Sequence, residues 1–290
     1  MRYPVDDTIC SLLNERLDKI EKHLNTDFIS FYGPIVDGLV PHLKKVIEEL
    51  FENRTPPSPR LFFMLTTPGG SATAVDRAVK VLRHFYSEVN FVVPDRAYSA
   101  GTIFCMSGDN IYMDYFGVLG PIDPQIPNKD NILIPAQGYL DKVDEFVKKE
   151  GPLSEAEIVM LGKIDLADLR FYEQARELTV DLLKRWLVQY KFKNWEKHES
   201  NPEKKGQPVT EEEKMQRAKE IADKLSDSKL WKSHARGLDI HTLETELRLK
   251  IMNYGNNPEL SKLFNDYYEL MSDYINKNQT LFYTHTRRFI

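Results

Sequence analysis

Two cysteines in 290 residues, Cys10 and Cys105, cannot build a disulfide framework, and neither falls in a CxxC or Cys/His cluster suited to zinc. Both are expected as reduced thiols, with no metal and no cofactor called for. Long apolar runs are missing too. Nothing approaches the roughly 18 residues needed to cross a bilayer, and the opening MRYPVDDTICSLLNERLDK lacks the unbroken apolar core of a signal peptide. The expectation is a cytoplasmic protein without a membrane span. Nor is positive charge in excess: 39 Lys and Arg stand against 44 Asp and Glu, for a net charge of −5 and a pI near 5.9. Such a balance gives no electrostatic reason for a nucleic-acid partner. Hydrophobic residues at 41% and charged residues at 29% are ordinary globular usage, enough for a sizeable core.

The first half alternates two periodicities. DFISFY (27–32) reads as a strand ended by Gly33-Pro34, after which Leu39, Leu43, Val46, Ile47 and Leu50 fall at helical spacing. Asn53–Pro59 breaks that helix, and Leu61–Leu65 is the next strand. Beyond Pro68-Gly69-Gly70, the residues Val75, Ala78, Val79, Leu82 and Phe85 mark a second amphipathic helix; Val89–Val93 and Ile111–Met113 are further strands. Strand and helix in alternation predict a parallel α/β layer. After about residue 138 the pattern turns helical, with a stripe from Leu166 to Trp186. A charged stretch from Lys191 to Ser226 containing Asn201-Pro202 and Gly206-Gln207-Pro208 reads as a solvated linker and a charged helix. The last helix puts Leu260, Leu263, Phe264, Tyr267, Met271, Tyr274 and Ile275 on one face, which fits a core-facing stripe or a subunit contact.

Two glycine-bearing turns stand at strand ends, Thr67-Pro68-Gly69-Gly70 and Tyr98-Ser99-Ala100-Gly101, and strand ends are where α/β folds place their sites. Glycine lets a backbone N–H approach a ligand closely, and the first residues of a helix carry unpaired N–H groups with partial positive charge. Gly70 and Ala100 are therefore candidate donors to an oxyanion, with Ser99 beside them. Taken singly, each turn has a structural reading: Pro-Gly-Gly is a common turn and serine a favoured N-cap.

The run Leu65-Thr66-Thr67-Pro68-Gly69-Gly70-Ser71, then Tyr98-Ser99-Ala100-Gly101-Thr102, then Leu119-Gly120-Pro121-Ile122-Asp123-Pro124-Gln125 resembles the serine dehydrogenase proteinase family. That family belongs to the larger group of signal peptide peptidase A and the Clp protease proteolytic subunit, and the resemblance covers about residues 25–250. It implies a ClpP/crotonase-like layered parallel sheet with helices, followed by a mainly α-helical C-terminal half. It also implies Ser99 as nucleophile, Gly70 in the oxyanion hole, a peptide or protein substrate, and assembly into a homo-oligomer. Trp231-Lys232-Ser233-His234-Ala235-Arg236 looks like the returning segment on which the family has a Trp and a His.

A serine hydroxyl needs a base. Where the Clp peptidase has its histidine this chain has Asp123, and the segment that supplies the Clp acid here holds His234, so the two roles could be exchanged. The rival is Lys142, on the helix after Pro135-Ala136 and near the place of the base in Ser–Lys relatives. Asp141, Asp144 and Glu145 around it would oppose the loss of its proton. Asp123 as a turn carboxylate and His234 as a structural histidine are the plainer readings of those residues. Arg96, next to the nucleophile turn, could bind a substrate carboxylate, although a loop arginine is usually solvated. The division expected is an N-terminal helical extension (1–24), a catalytic core (25–165), a helical region with linker and returning segment (166–252) and a C-terminal helix (253–290). Together these readings give a serine peptidase; a crotonase-like acyl-CoA enzyme or a catalytically inactive scaffold are the alternatives.

Overall fold

The computed structural model describes residues 4–52, 58–127, 133–198 and 203–287. The expected break at Asn53–Pro59 falls mostly outside those residues, as does Asn201-Pro202. In chain order the elements are α1 (Pro4–Leu24), β1 (Asp27–Tyr32), α2 (Leu39–Glu52), β2 (Arg60–Thr66), α3 (Ala72–Phe85), β3 (Glu88–Val93) and β4 (Arg96–Ala97). Next come α4 (Ala100–Met106), β5 (Asn110–Met113), β6 (Val118–Leu119), β7 (Gln125–Pro127), β8 (Leu133–Pro135), α5 (Ala136–Val147), α6 (Glu155–Leu161) and α7 (Leu166–Trp186). A π-helical turn (Leu187–Lys191) leads to α8 (Glu211–Ser226), α9 (Ser228–Trp231), α10 (Ile240–Thr245), β9 (Met252–Asn253), α11 (Pro258–Lys277) and β10 (Tyr283–His285).

The main sheet runs β10-β1-β2-β3-β5-β9. Every pairing from β1 to β9 is parallel, and β10 alone is antiparallel, along β1. Strands β1, β2, β3 and β5 lie in the order in which the chain makes them. Crossovers of one hand then place α2, α3 and α4 on the same face. Side chains alternate accordingly. Ile29, Phe31, Leu61, Phe63, Leu65 and Phe91 point to that face, where the buried sides of α2, α3, α4, α7 and α8 meet them. Phe28, Phe62, Met64 and Val92 point the other way.

This second face would stay wet had the two ends of the chain not returned to it. Leu13, Leu17 and Ile20 of α1 pack there with Leu260, Phe264, Tyr267, Met271 and Ile275 of α11. The stripe on the last helix is thus core, so that face is closed to a subunit contact. The segment expected as a C-terminal helix also adds β10 to the sheet edge, which covers one exposed row of β1. Cys10 and Cys105 are buried and form no disulfide. No described helix is long and apolar enough to cross a membrane.

Candidate active site

The two turns singled out in the sequence meet. Past the end of β2, Thr67 makes a parallel bridge to Ala97: Thr67 N–H donates to Arg96 O at 2.9 Å and Tyr98 N–H to Thr67 O at 3.1 Å. On the other side Gly70 bridges Ile35, whose N–H donates to Gly69 O at 2.8 Å and whose carbonyl accepts from Ser71 N–H at 2.8 Å. The glycines are required at this crossing. Gly69 and Gly70 have φ of +106° and +144°, and a Cβ on Gly70 would lie 2.1 Å from the Ile35 carbonyl oxygen. A Cβ on Gly69 would lie 3.0 Å from Ser99 Cβ, which measures how tightly the Gly-Gly turn and the serine are apposed.

Ser99 occupies the N-cap of α4 without acting as a cap. Its φ of 51° and ψ of −115° put a non-glycine residue in a sparsely populated region, and its side chain makes no capping hydrogen bond. Such strain costs of order 1–3 kcal/mol and persists only where the surroundings impose it. The half-buried Ser99 hydroxyl has no hydrogen-bond partner among the described residues. The amide hydrogens of Gly70 and of Ala100, the first residue of α4, are likewise committed to no hydrogen bond among the described residues.

The third segment comes alongside through β4 and β6, paired in parallel with Arg96 opposite Val118 and Ala97 opposite Leu119. Leu119 in turn bridges Leu238 antiparallel, with N–H to carbonyl distances of 3.0 and 2.8 Å. Continuing that register, the residue four beyond Leu119 faces the residue four before Leu238, namely Asp123 and His234. Their side chains meet there: His234 Nδ1 is 2.9 Å from Asp123 Oδ1. Asp123 is 1% exposed and His234 21%, so the carboxylate is sealed behind an imidazole that still reaches solvent. An ionised carboxylate only accepts, so Nδ1 carries the proton and Nε2 keeps its lone pair.

One further residue joins these pieces. The Thr102 hydroxyl lies 2.8 Å from Ala97 O and 2.9 Å from Gly120 O, and it accepts from Gly120 N–H at 2.9 Å. A single buried oxygen therefore ties β4, α4 and the strand leading to Asp123. Sequence reasoning quoted Thr102 only as part of a motif; the available signal was a hydroxyl inside a helix that is otherwise apolar and wholly buried.

The two remaining candidates each have a partner of their own. Lys142 sits on α5, 54% exposed, with its ammonium 2.8 Å from Glu145 Oε2. Arg96 lies in β4 with its guanidinium 3.0 Å from Asp95.

Fold and turn define a class: parallel α/β proteins with a serine on a strained strand-to-helix turn. Within it, the chain belongs to the family described as ClpP-like SDH-type serine proteinase, whose model matches residues 48–216. That span includes Gly70, Ser99, Ala100, Asp123 and Lys142 and stops short of His234. Among curated proteins, the chain is 35% identical over 85 residues to an uncharacterised protein of Methanocaldococcus jannaschii, MJ0137, covering 28% of this chain and 30% of that one. It is 27% identical over 130 residues to another from the same organism, MJ1495, covering 45% and 40%. The matches thus span less than half the length of these relatives. Among solved structures, a lysine-to-alanine mutant of the 1510-N membrane-bound stomatin-specific protease in complex with a substrate peptide is 14% identical, with 78% of this chain and 72% of that chain covered and a TM-score of 0.44. A serine-to-alanine mutant of the same protease is 19% identical, with 50% and 81% covered and a TM-score of 0.32.

Proposed function

We propose that the chain is a serine peptidase that forms an acyl-enzyme on Ser99. Ser99 Oγ attacks the substrate carbonyl carbon while His234 Nε2 takes the hydroxyl proton, and Asp123 holds the imidazole in the tautomer that leaves Nε2 basic. The amide hydrogens of Gly70 and Ala100 receive the oxyanion. His234 then returns its proton to the leaving amine, and a water repeats the cycle to release the acid. The observation that carries this reading is the convergence of three segments: Gly69 against Ser99, Ala97 beside Leu119, and Leu119 beside Leu238 with its His234–Asp123 pair.

Lysine as the base finds no support in the geometry. Its ammonium is half exposed and donates to Glu145, whereas a lysine base needs a site that takes it out of water and away from carboxylates. Self-association belongs to the same proposal. Val147, Ile158, Val159, Met160, Leu166 and Phe171 stand exposed along α5, α6 and α7, more apolar surface than a free helical arm usually shows.

A fluorophosphonate probe tests the reading. The wild-type chain should be labelled at Ser99 and Ser99→Ala not at all. With His234→Ala the labelling rate should collapse, and with Lys142→Met it should stay near wild type. Labelling lost only in Lys142→Met would replace the base. A coenzyme A ester that stabilises the chain, together with no labelling at all, would favour the acyl-CoA reading, since that chemistry gives Ser99 no role.

A further inference from the structure

A cavity of about 840 Å³ opens at the opposite end of the parallel sheet from Ser99, where β5 begins at Asn110 and the chain carrying Arg248 and Lys250 enters β9. Ser99, His234 and Asp123 do not line it. Its volume falls within the range of small-molecule sites. One wall is the π-helical turn, a distortion often found where a helix serves a site, and it places Tyr190 and Lys191 at the cavity. Arg248 on the facing wall has φ of 46°, a left-handed conformation unusual for a long side chain.

The lining itself holds four cations, Lys191, Arg217, Arg248 and Lys250, and four carboxylates, Asp109, Glu212, Glu213 and Glu220, so cations just outside it tip the balance. Most of its carboxylates are already matched within the protein. Asp109 is paired with Arg83 at 2.8 Å and with Lys193; Glu213 with Lys204 at 2.6 Å and His198 at 3.2 Å; Glu220 with Arg217 at 2.8 Å. Three cations are not matched in this way. Lys191 Nζ donates to a carbonyl, that of Lys250, at 2.9 Å, and the side chains of Arg248 and Lys250 make no hydrogen bond or ion pair among the described residues. Glu212 is the one wall carboxylate left without an ion pair among the described residues. With Arg83, Lys193 and Lys204 outside the lining neutralising wall carboxylates, Lys191, Arg248 and Lys250 leave the cavity suited to an anionic ligand such as a phosphate monoester, which carries about −2 at neutral pH. Burial pushes Lys191 down to about 8, with Asp109 only partly opposing it, and a dianion alongside would hold its proton more firmly.

The floor between the cations is aromatic. Phe192 and Trp195 both line the cavity, edge to face with ring centroids 5.5 Å apart, and Trp195 stands edge to face with His198. Asn194 beside them has a side-chain amide without a hydrogen bond among the described residues, able to donate to and accept from the edge of a heterocycle. We propose that this cavity binds a nucleoside monophosphate, its phosphate held by Lys191, Arg248 and Lys250 and its base laid against Phe192 and Trp195. Multiple cations on one phosphate and a π-face for the base are the two elements such a ligand requires, and both converge on this cavity.

Titration of the full chain with AMP, followed by calorimetry and tryptophan fluorescence, tests the proposal. Saturable one-site binding is expected, with adenosine and inorganic phosphate each binding at least about tenfold more weakly because each lacks one of the two elements. The Arg248→Gln/Lys250→Gln double variant should weaken AMP by more than about tenfold, and raised salt should weaken it further. Both side chains are exposed, so this variant should unfold at the wild-type temperature, which separates lost binding from lost folding. Ser99→Ala should bind AMP as the wild type does, making the outcome independent of the proposed peptidase chemistry. Absence of saturable AMP binding would overturn the proposal, as would undiminished binding by the double variant. Phosphate binding as tightly as AMP would remove the role of the rings, and adenosine binding as tightly would remove that of the cations; either result also overturns it.

Discussion

Two regions of the molecule set a histidine against a side-chain oxygen, one inside the second face of the sheet and one at the proposed active site. Below the sheet, Ser30 Oγ lies 2.6 Å from the Tyr267 hydroxyl, Tyr267 lies 2.7 Å from His285 Nδ1, and His285 Nε2 lies 3.1 Å from Asn14 Oδ1. A neutral imidazole satisfies this chain: Nε2–H donates to the amide oxygen, Nδ1 accepts from Tyr267, and the tyrosine oxygen accepts from Ser30. Both ring nitrogens of His285 and the hydroxyls of Tyr267 and Ser30 have partners, Ser30 sits in a regular strand, and no surface reaches it. At the strand ends the same residue types differ in three respects. Ser99 is bent out of any regular conformation, its hydroxyl is unpaired among the described residues, and the imidazole proposed as its base, that of His234, rests on a carboxylate instead of an amide. The reactivity proposed for Ser99 therefore rests on backbone, access and the third group, because the side-chain inventory is nearly shared.

Removing the charge of the third group should erase most of that contrast. Asp123→Asn makes the pair resemble His285 with Asn14, and an amide can present its NH2 to Nδ1 and so reverse the tautomer. The rate of Ser99 acylation, read with the fluorophosphonate probe, should fall by about 10³–10⁴ while the fold is kept. Ser30→Ala, the matching change in the buried network, should leave that rate unchanged. A rate that survives Asp123→Asn would break the comparison at its strongest point.

The buried arrangement makes its own prediction, in stability. Burial pushes His285 down to about 4, whereas in the unfolded chain a histidine titrates near 6.5. Between those values the unfolded state binds the extra proton and the native state does not. Stability is therefore full above about pH 6.5 and is lost as pH falls toward 4, by about 3 kcal/mol from this group. Urea unfolding across that interval should show the loss, and His285→Gln should flatten this part of the profile. An unchanged profile in the variant would mean that other groups dominate acid unfolding.

How much of this was written locally in the sequence differs between the two regions. The strands, the helices between them, the glycine pair and the Ser99 turn were all legible, because each rests on a short-range rule: alternation, helical spacing, or a φ that favours glycine. Motif resemblance brought Asp123 and His234 forward as candidates. What joins them is the Leu119–Leu238 bridge between segments far apart in sequence, and no local pattern encodes that register. The same holds for α1 and α11. A helix over 1–24 and the apolar stripe of the last helix could be read, yet the surface they cover, the second face of the sheet, exists only once the crossovers have all taken the first. No local pattern marks His285, because its burial depends on β10 pairing with β1.

The smallest expected effect concerns the pin that holds the reactive arrangement together. Thr102→Val keeps shape and removes the hydroxyl, leaving Gly120 N–H and two carbonyls without that partner in a buried place, at a cost of about 1–3 kcal/mol. Because the hydroxyl joins the Ser99 turn to the segment that leads to Asp123, its loss lets the two shift relative to each other. A misplacement of a fraction of an ångström should slow acylation by about tenfold. Thr102→Ser retains the oxygen and should recover most of the rate. Active-site titration separates positioning from simple instability: a destabilised but correctly arranged enzyme would show fewer labelled sites reacting at the wild-type rate. A mispositioned one shows a full complement of sites reacting slowly, and that is the result expected for valine. Wild-type rates in both variants would mean that the backbone ladders alone hold Ser99 opposite its base, leaving the Thr102 hydroxyl a structural feature as inert as that of Ser30.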